Sequence, residues 1–272
     1  MNRAVSLVLP LLALGAAGST YLPRASHVTV VVMENRAYDG IVGNPDAPFV
    51  NGVLIPQGAL LTRSSAVTHP SQPNYLALFS GSTHGVDGDA CPVRFDAPNV
   101  ASLLAAAGRS FVGLAESMPY DGFTGCTSDD VYGRKHDPWV DFSNVPPSAN
   151  RVYRRFPPAD APALMWITPN MCHDMHDCST RTGDAWLAKN LPPILAWDRS
   201  HDGLLIVTWD EAEPDAGGNR IPTILAGPMV RAGSRTDRPV DHYGVLRTIE
   251  TIFGLSCIDR ECRAKPIEGI WK

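Results

Sequence analysis

The chain has 272 residues, of which 44% are hydrophobic and 19% are charged, and its formal net charge is −5. A disordered chain needs lower hydrophobicity and higher charge, so this composition excludes disorder, and it excludes a coiled coil as well. The mild excess of acid provides no broad basic surface for nucleic acid, and the length suits one large domain or two small ones with a real hydrophobic core.

The N-terminus has the pattern of a secretory signal peptide. Arg3 supplies a positive charge, an apolar run extends from Ala4 to Ala17, and small residues follow it. The run is shorter than the roughly 20 apolar residues that span a bilayer, although an uncleaved N-terminal anchor is the alternative. We predict a signal peptide at residues 1–18, a single domain at 19–272, and a secreted or periplasmic location.

Short hydrophobic segments alternate with helical ones along the rest of the chain. The predicted strands are 27–33, 111–115, 164–168, 204–208 and 222–226, and the predicted helices are 73–80, 100–107, 182–191 and 241–253. Pro192 and Pro193 are expected to interrupt or kink the chain after the third helix, and Gly254 to end the fourth. The alternation predicts an α/β fold, a three-layer sandwich with a largely parallel central sheet.

The region from 91 to 150 is richer in glycine, proline and aspartate than the rest of the chain. We interpret much of it as loops beside a functional site and not as a second domain. Substrate specificity is expected to lie in the loops at 81–96 and 118–130.

Six cysteines follow the export signal, and an even number in an exported chain indicates disulfide bonds. Two pairs are close in sequence, Cys172 with Cys178 and Cys257 with Cys262, which leaves Cys91 with Cys126. A metal site built on cysteine is less favoured, because no Cys-x-x-Cys pair occurs.

Acid and amide side chains follow the two most hydrophobic strands. Glu34 and Asn35 follow the first, and Asp210 and Glu211 follow the strand at 204–208. Sites in open α/β sheets form at the carboxyl ends of the strands, where these groups would meet. Carboxylate and amide oxygens bind hard divalent cations. The acids could instead cap the next helices, but two such strand ends favour a shared metal site for one or two ions.

Ser71 lies just before the predicted helix at 73–80, in the run Thr68-His-Pro-Ser-Gln-Pro-Asn-Tyr75. A hydroxyl at this place faces free backbone N–H groups and the positive end of the helix dipole. Those groups stabilise an anion, so a serine there can attack a phosphoryl group. The alternative is that Ser71 only caps the helix.

A polar run follows the strand at 164–168. It places His173, Asp174, His176 and Asp177 within five positions, between two cysteines. Such side chains suit metal binding or proton transfer, and the alternative is a polar disulfide loop without function. Two smaller clusters complete the set. Arg134-Lys-His136 could hold a phosphate or be a solvated basic turn. In Asp241-His-Tyr243, at the start of the last helix, His242 could be a ligand, an acid or part of a helix cap.

In combination these motifs resemble those of the bacterial phosphoesterase family, which contains phospholipases C and secreted acid phosphatases. The resemblance covers residues 28–255 and is strongest to the secreted acid phosphatases. It implies a fold like that of the alkaline phosphatase superfamily. The runs that carry it are Glu34-Asn35, Thr68–Tyr75, Arg134–His136, Asp174-Met-His-Asp177, Thr208-Trp-Asp-Glu211 and Asp241–Tyr243.

The resemblance also implies a role for each site residue. It implies that Ser71 is the nucleophile, and that His176 and His242 move protons. The implied metal ligands are Glu34, Asn35, Asp210 and Glu211, and the implied substrate contacts are His69, Asn35, Lys135, His136, Asp174 and Asp177. The implied cofactor is a divalent metal ion.

We therefore expect an exported acid phosphatase that hydrolyses phosphate monoesters, phosphoinositides among them, through a phosphoserine. The expected partner is a small phosphorylated substrate or a phospholipid headgroup, with no nucleic acid and no transmembrane segment after signal cleavage. One alternative is a phosphodiesterase or phospholipase C that uses the same site. A Ser-His-Asp esterase is less favoured, because no Gly-x-Ser-x-Gly motif occurs. A secreted anion-binding protein without activity is a further alternative, but binding alone needs no nucleophile.

Overall fold

A computed structural model describes residues 22–272 except positions 155, 157 and 159, so the predicted signal peptide at 1–18 lies outside the described residues. The strands are β1 His27–Met33, β2 Ala59–Ser65, β3 Phe111–Ala115, β4 Thr127–Ser128, β5 Tyr132–Gly133, β6 Asn150–Val152, β7 Leu164–Thr168, β8 Gly203–Trp209, β9 Arg220–Ala226, β10 Ser234–Thr236 and β11 Val240–Asp241. The α-helices are α1 Tyr38–Ile41, α2 Ile55–Gln57, α3 Ser71–Ser80, α4 Val100–Ala106, α5 Thr180–Ser200 and α6 His242–Phe253.

The central sheet has nine strands in the order β10-β2-β9-β8-β1-β7-β3-β6, with β11 also paired to β2. Strand β9 runs antiparallel to β2 and β8, and the other pairs are parallel. The prediction of a largely parallel sheet is confirmed. It brings the carboxyl ends of β1, β7 and β8 side by side, which is the edge where sites form in such sheets.

Strand β1 shows why the sheet is covered on both faces. Its sequence is almost entirely β-branched or aliphatic, and six of its seven residues are buried. Val30 and Val32 point into one hydrophobic core, which also contains Leu246 of α6, whereas Val31 packs into the other core with Leu187 of α5. A strand buried on both faces belongs to the middle layer of a three-layer sandwich, as the sequence predicts.

The prediction that Pro192 and Pro193 interrupt a helix is wrong. Helix α5 begins at Thr180, capped by Ser179, and continues through both prolines to Ser200. The two prolines lie on the exposed side of the helix, where the carbonyl groups they leave unpaired can reach water. Leu191, Ile194 and Leu195 continue the buried side of the helix across this point, and their packing outweighs the local cost.

Three disulfide bonds join the pairs predicted from the sequence, Cys91–Cys126, Cys172–Cys178 and Cys257–Cys262. The first connects the loop after α3 to the β4–β5 hairpin, and the second closes the polar loop after β7. Across the described part of the chain, the helices are too short or too polar to cross a bilayer.

Asp198 in α5 is a buried acid far from any strand end that carries a site. It is fully buried, and within the described residues neither of its carboxylate oxygens has a hydrogen-bond partner. A Cβ at Gly203 would collide with this carboxylate, so the glycine provides the space for it. Burial raises the pKa of Asp198 to about 7, although Arg199 partly offsets the effect.

The folded chain therefore binds a proton at Asp198 that the unfolded chain releases near pH 4, the ordinary range of an aspartate. Below that pH both states are protonated, and Asp198 adds no pH dependence. As the pH rises to about 7 the group increasingly destabilises the folded state, and above 7 the penalty is complete. We expect Asp198→Asn to remove this effect. The variant's unfolding free energy minus that of wild type should therefore rise by on the order of 3 kcal/mol between about pH 4 and pH 8.

Denaturant unfolding of wild type and variant across this range measures the difference. Asp202→Asn is the matched control, because Asp202 is exposed and lies just after the same helix, and its curve should stay parallel to that of wild type. A parallel curve for Asp198→Asn as well would show that the buried carboxylate does not titrate as described.

Candidate active site

The site lies at the carboxyl edge of the sheet, where three parallel strands end. Glu34 directly follows β1, Asp210 and Glu211 follow β8, and the disulfide loop at 172–178 follows β7. Helix α3 approaches this edge with Ser71 as its first residue. Segments far apart in sequence therefore meet because parallel strands place their carboxyl ends together.

Ser71 is buried, and its hydroxyl does not cap the helix. The N-cap position is Pro70, with no side-chain cap. The Ser71 Oγ instead lies 3.0 Å from Oε2 of Glu34 and 3.2 Å from Oε1 of Glu211. The alternative that Ser71 only caps the helix is therefore wrong, and its hydroxyl is directed at carboxylates.

Two asparagines that the sequence analysis missed hold the turn before Ser71. Asn74 accepts hydrogen bonds from the backbone N–H groups of Val67 and Thr68 and donates to the carbonyls of Thr68 and Pro70. Asn219 donates to the same Thr68 carbonyl and accepts from the N–H of Ala212. The nucleophile turn is thereby fastened to the loop that carries Glu211. An asparagine in the first turn of α3 is the signal that could have indicated the first of these roles.

Four carboxylates are buried together. Glu34, Asp210 and Glu211 interact with Ser71, and Asp174 interacts with Glu34. Burial raises the pKa of Glu34, and the charge of Asp174 raises it further. Burial followed by the charges of Glu34 and Glu211 raises the pKa of Asp210. One oxygen each of Glu34, Asp174 and Asp210 has no hydrogen-bond partner among the described residues. Such a group of acids needs positive charge to stay ionised.

His136 lies between two of these acids. Its Nε2 is 3.0 Å from Oε1 of Glu34, and its Nδ1 is 3.3 Å from Oδ2 of Asp174. Glu34 Oε1 and His136 Nε2 are close without forming a hydrogen bond, as ligands of one ion are. Burial, with the nearby charges of Lys135 and His176, lowers the pKa of His136, so the ring is neutral and able to bind a metal.

Glu34, His136 and His176 form a group whose potential ligand atoms all lie within 4.8 Å of one another. The resemblance implied only phosphate contact or proton transfer for the two histidines, so their closeness to Glu34 adds a second possible ligand set. Glu34 belongs to both this set and the set around Ser71. The carboxylate and imidazole groups, several with unpartnered buried atoms, fit one or two divalent cations.

Lys135 is the cation that faces the cluster. Its Nζ donates to Oδ2 of Asp89 at 2.9 Å and lies 3.3 Å from Nε2 of His176. Burial opposes its charge, but the hydrogen bond and charge of Asp89 outweigh it and raise the pKa of Lys135. Asp89, which the sequence analysis missed, also accepts the N–H of Gln72 at 3.0 Å. Burial opposes ionisation of Asp89, but these two partners together lower its pKa.

Arg134 does not join Lys135 in a basic cluster, contrary to the sequence-based expectation. Its guanidinium is buried and donates to Oδ1 of Asp141 at 2.8 Å and to the carbonyl of Thr124. Such an ion pair fixes the loop and leaves no hydrogen-bonding face of Arg134 for a substrate. The short 3₁₀ turn Arg134–His136 directs neighbouring side chains to different sides, which the linear sequence does not reveal.

The remaining predicted site residues surround this centre. His69 contacts Oε2 of Glu211 and is partly exposed. Asn35, in the left-handed region with φ 44°, donates its backbone N–H to Oδ1 of Asp210. His242 is buried and donates from Nε2 to the carbonyl of Asp210 at 2.6 Å, which places it behind the acid. Asp177 accepts from Nδ1 of His176 at 2.7 Å.

Comparison with solved structures gives the class of fold. The chain aligns with a protein of the alkaline phosphatase superfamily from Vibrio parahaemolyticus with a TM-score of 0.60 and 13% identity, over 91% of this chain and 72% of that one. The periplasmic domain of EptC from Escherichia coli, in complex with zinc, aligns with a TM-score of 0.57 and 11% identity, over 86% and 83% of the two chains. The fold is that of the alkaline phosphatase superfamily.

The chain belongs to the Phosphoesterase family, whose profile matches residues 45–256. It is 44% identical over 255 residues to a phosphatidylinositol-3-phosphatase of Mycobacterium tuberculosis, an alignment that covers 92% of this chain and 84% of that protein. It is 31% identical to an acid phosphatase of Aspergillus fumigatus, over 88% of this chain but only 57% of that protein. Family and relatives together support a phosphoric monoester hydrolase.

The carboxylate cluster predicts how metal should affect stability. In the absence of metal, Glu34→Gln removes one of several mutually repelling buried acids, so we expect the variant to melt above wild type in EDTA. With a saturating divalent ion the order should reverse, because wild type gains roughly 3 kcal/mol at a metal concentration of about 100 times Kd and the variant gains much less.

Thermal melts of both proteins in EDTA and in excess Mn²⁺, Zn²⁺ or Mg²⁺ measure this. Asp215→Asn is the matched control, because Asp215 is exposed in the loop after Asp210 and Glu211, and it should follow wild type in both conditions. Equal metal-induced shifts in wild type and Glu34→Gln would exclude Glu34 as a ligand.

Proposed function

We propose that the protein is an exported, metal-assisted acid phosphatase, a single domain over 19–272, that hydrolyses phosphate monoesters through Ser71. The observation that supports it best is the Ser71 hydroxyl, which lies within hydrogen-bond distance of Glu34 and Glu211 instead of capping α3. The name of the mycobacterial relative makes phosphoinositides the first substrates to test. All six cysteines are paired, which is compatible with an oxidising compartment outside the cytoplasm.

The metal ligands of this proposal are Glu34, Asn35, Asp210 and Glu211, with His136 and His176 available to a second ion. A divalent cation held there supplies a Lewis acid that lowers the pKa of the Ser71 hydroxyl and balances charge on the phosphate. The chain itself positions the reacting groups. Asn74 and Asn219 fix the turn before Ser71, and the N-terminus of α3 directs free N–H groups at the phosphate oxygens.

In the first step Ser71 Oγ attacks phosphorus in line with the leaving oxygen. The bond between Oγ and phosphorus forms, the bond from phosphorus to the alcohol oxygen breaks, and the hydroxyl proton passes to the carboxylates in contact with Oγ. Lys135 and His136 stabilise the charge on the phosphate oxygens. Their roles follow from their positions beside Glu34 and His176, and His69 and Asp174 complete the surroundings.

With a single ion at Glu34, Asn35, Asp210 and Glu211, His176 stays unligated and gives the leaving alcohol its proton. Its Nε2 faces Lys135 and its Nδ1 is held by Asp177. Water then attacks the phosphoserine, which releases phosphate and restores the Ser71 hydroxyl. His242, with its Nε2 on the Asp210 carbonyl, is placed to position the loop after β8 and not to reach the leaving group.

We expect Ser71→Ala to lower phosphate release from p-nitrophenyl phosphate and from a phosphoinositide by at least about 10³-fold, because it removes the attacking atom. The assay uses the mature protein at mildly acidic pH with metal present. Ser82→Ala, just beyond the other end of α3, is the control and should retain activity.

Two results would contradict the proposal. Full activity in Ser71→Ala would mean that another group or water attacks the substrate. Wild type that hydrolyses diesters but no monoester would assign the site to a phosphodiesterase instead.

A further inference from the structure

A cavity of about 270 Å³ has Lys135 in its lining. Its lining includes Asp89, Asp130, Lys135 and Met171 together with the Cys91–Cys126 disulfide. Asp89, Cys91 and the residues from Cys126 to Asp130 in this lining belong to the loops at 81–96 and 118–130, where substrate specificity is expected. Its size suits a single ring or a short polyol.

Asp89 connects the lining of the cavity to the residue after the proposed nucleophile. One oxygen of Asp89 accepts the N–H of Gln72, the residue after Ser71, and the other accepts Nζ of Lys135. Lys135 in turn lies 3.3 Å from His176. Lys135 thus borders both the cavity and His176, so a phosphate held by Ser71 and Lys135 would have the cavity next to it.

A rigid hairpin fixes the outer rim of the cavity. The turn between β4 and β5 closes with a hydrogen bond from the N–H of Val131 to the carbonyl of Ser128. Its two central residues, Asp129 and Asp130, have φ 49° and 54°, as in a type I′ turn, and aspartate tolerates this conformation. The Cys91–Cys126 disulfide ties the hairpin to the loop of Asp89.

The charged side chains that line the cavity favour hydroxyl groups over a second phosphate. Its single cation, Lys135, is paired with Asp89, whereas Asp130 forms no ion pair with any residue that the structure describes. The lining therefore has an excess negative charge. Carboxylates accept hydrogen bonds from hydroxyl groups but repel a second phosphate. Met171 and the disulfide add an apolar wall that can pack against the C–H face of a ring.

We propose that this cavity receives the alcohol part of the substrate, and that Asp130 selects a hydroxyl-bearing leaving group without a second phosphate beside the one that is cleaved. The proposal rests on the phosphatase activity proposed above. It narrows the substrate class to singly phosphorylated polyols, whether free or as the headgroup of a lipid.

The test compares kcat/KM for an inositol monophosphate and for the inositol bisphosphate with a vicinal second phosphate. Asp130→Asn keeps the size of the side chain, its hydrogen-bonding oxygen and its tolerance of the left-handed conformation, and removes only the charge. We expect the variant to reduce the preference for the monophosphate by about fivefold, because the like charges lie near a surface in high dielectric. Asp129→Asn, its neighbour in the turn, does not line the cavity and should keep the wild-type preference.

The dependence of the substrate preference on ionic strength provides a second test. Raising ionic strength should weaken the monophosphate preference of wild type, since Asp130 is exposed, and should affect Asp130→Asn less. An unchanged preference in Asp130→Asn, or an equal change in Asp129→Asn, would overturn the assignment of Asp130 while leaving the phosphatase proposal intact. Wild type that releases phosphate from no monoester at all would overturn both.

Discussion

A group of four buried carboxylates, three of which interact with the Ser71 hydroxyl, forms the electrostatic constraint on which the site depends. Glu34, Asp174, Asp210 and Glu211 cannot all be ionised in a dry environment without positive charge beside them. His136 is buried and neutral, and Lys135 is already paired with Asp89. In our proposal a divalent cation would relieve the repulsion in this arrangement, and it would lie beside Ser71 Oγ. In this proposal, repulsion between the buried acids lowers the stability of the metal-free protein, in exchange for a site that can bind metal.

The fold creates this cluster by bringing together the ends of parallel strands. Strands β1 and β8 are neighbours over their whole length, so the acids that follow them meet without any long connection. Helix α3 arrives from one face of the sheet with Ser71 at its N-terminus, and the loop closed by Cys172–Cys178 brings His176 after β7. Asn219 links two of these segments. A rigid scaffold thus presents side chains from loops that can vary, which suits specificity that differs among relatives.

The sequence predicts those features that depend on local pattern. The β-branched run of β1 and the aliphatic run of β8 indicate buried strands, and the acids after them indicate the site. Strand β2 was missed because its second half, Thr62–Ser65, is polar and pairs near the edge of the sheet. Asp89 was missed because its link to Lys135 exists only once two distant loops fold together. The periodicity of the sequence cannot indicate a contact between distant loops. It also cannot indicate that the side chains of Arg134 and Lys135 point to different sides.

The central claim is that the carboxylates around Ser71 hold a divalent cation. An anomalous difference map from crystals grown with Mn²⁺ or Zn²⁺ tests it most directly. The structure predicts a strong peak about 2.0–2.3 Å from carboxylate oxygens of Glu34 and Asp210 and beside Ser71 Oγ, with any second peak between Glu34, His136 and His176. A fully active protein whose crystals show no peak at these residues, or a peak only elsewhere, would contradict the claim.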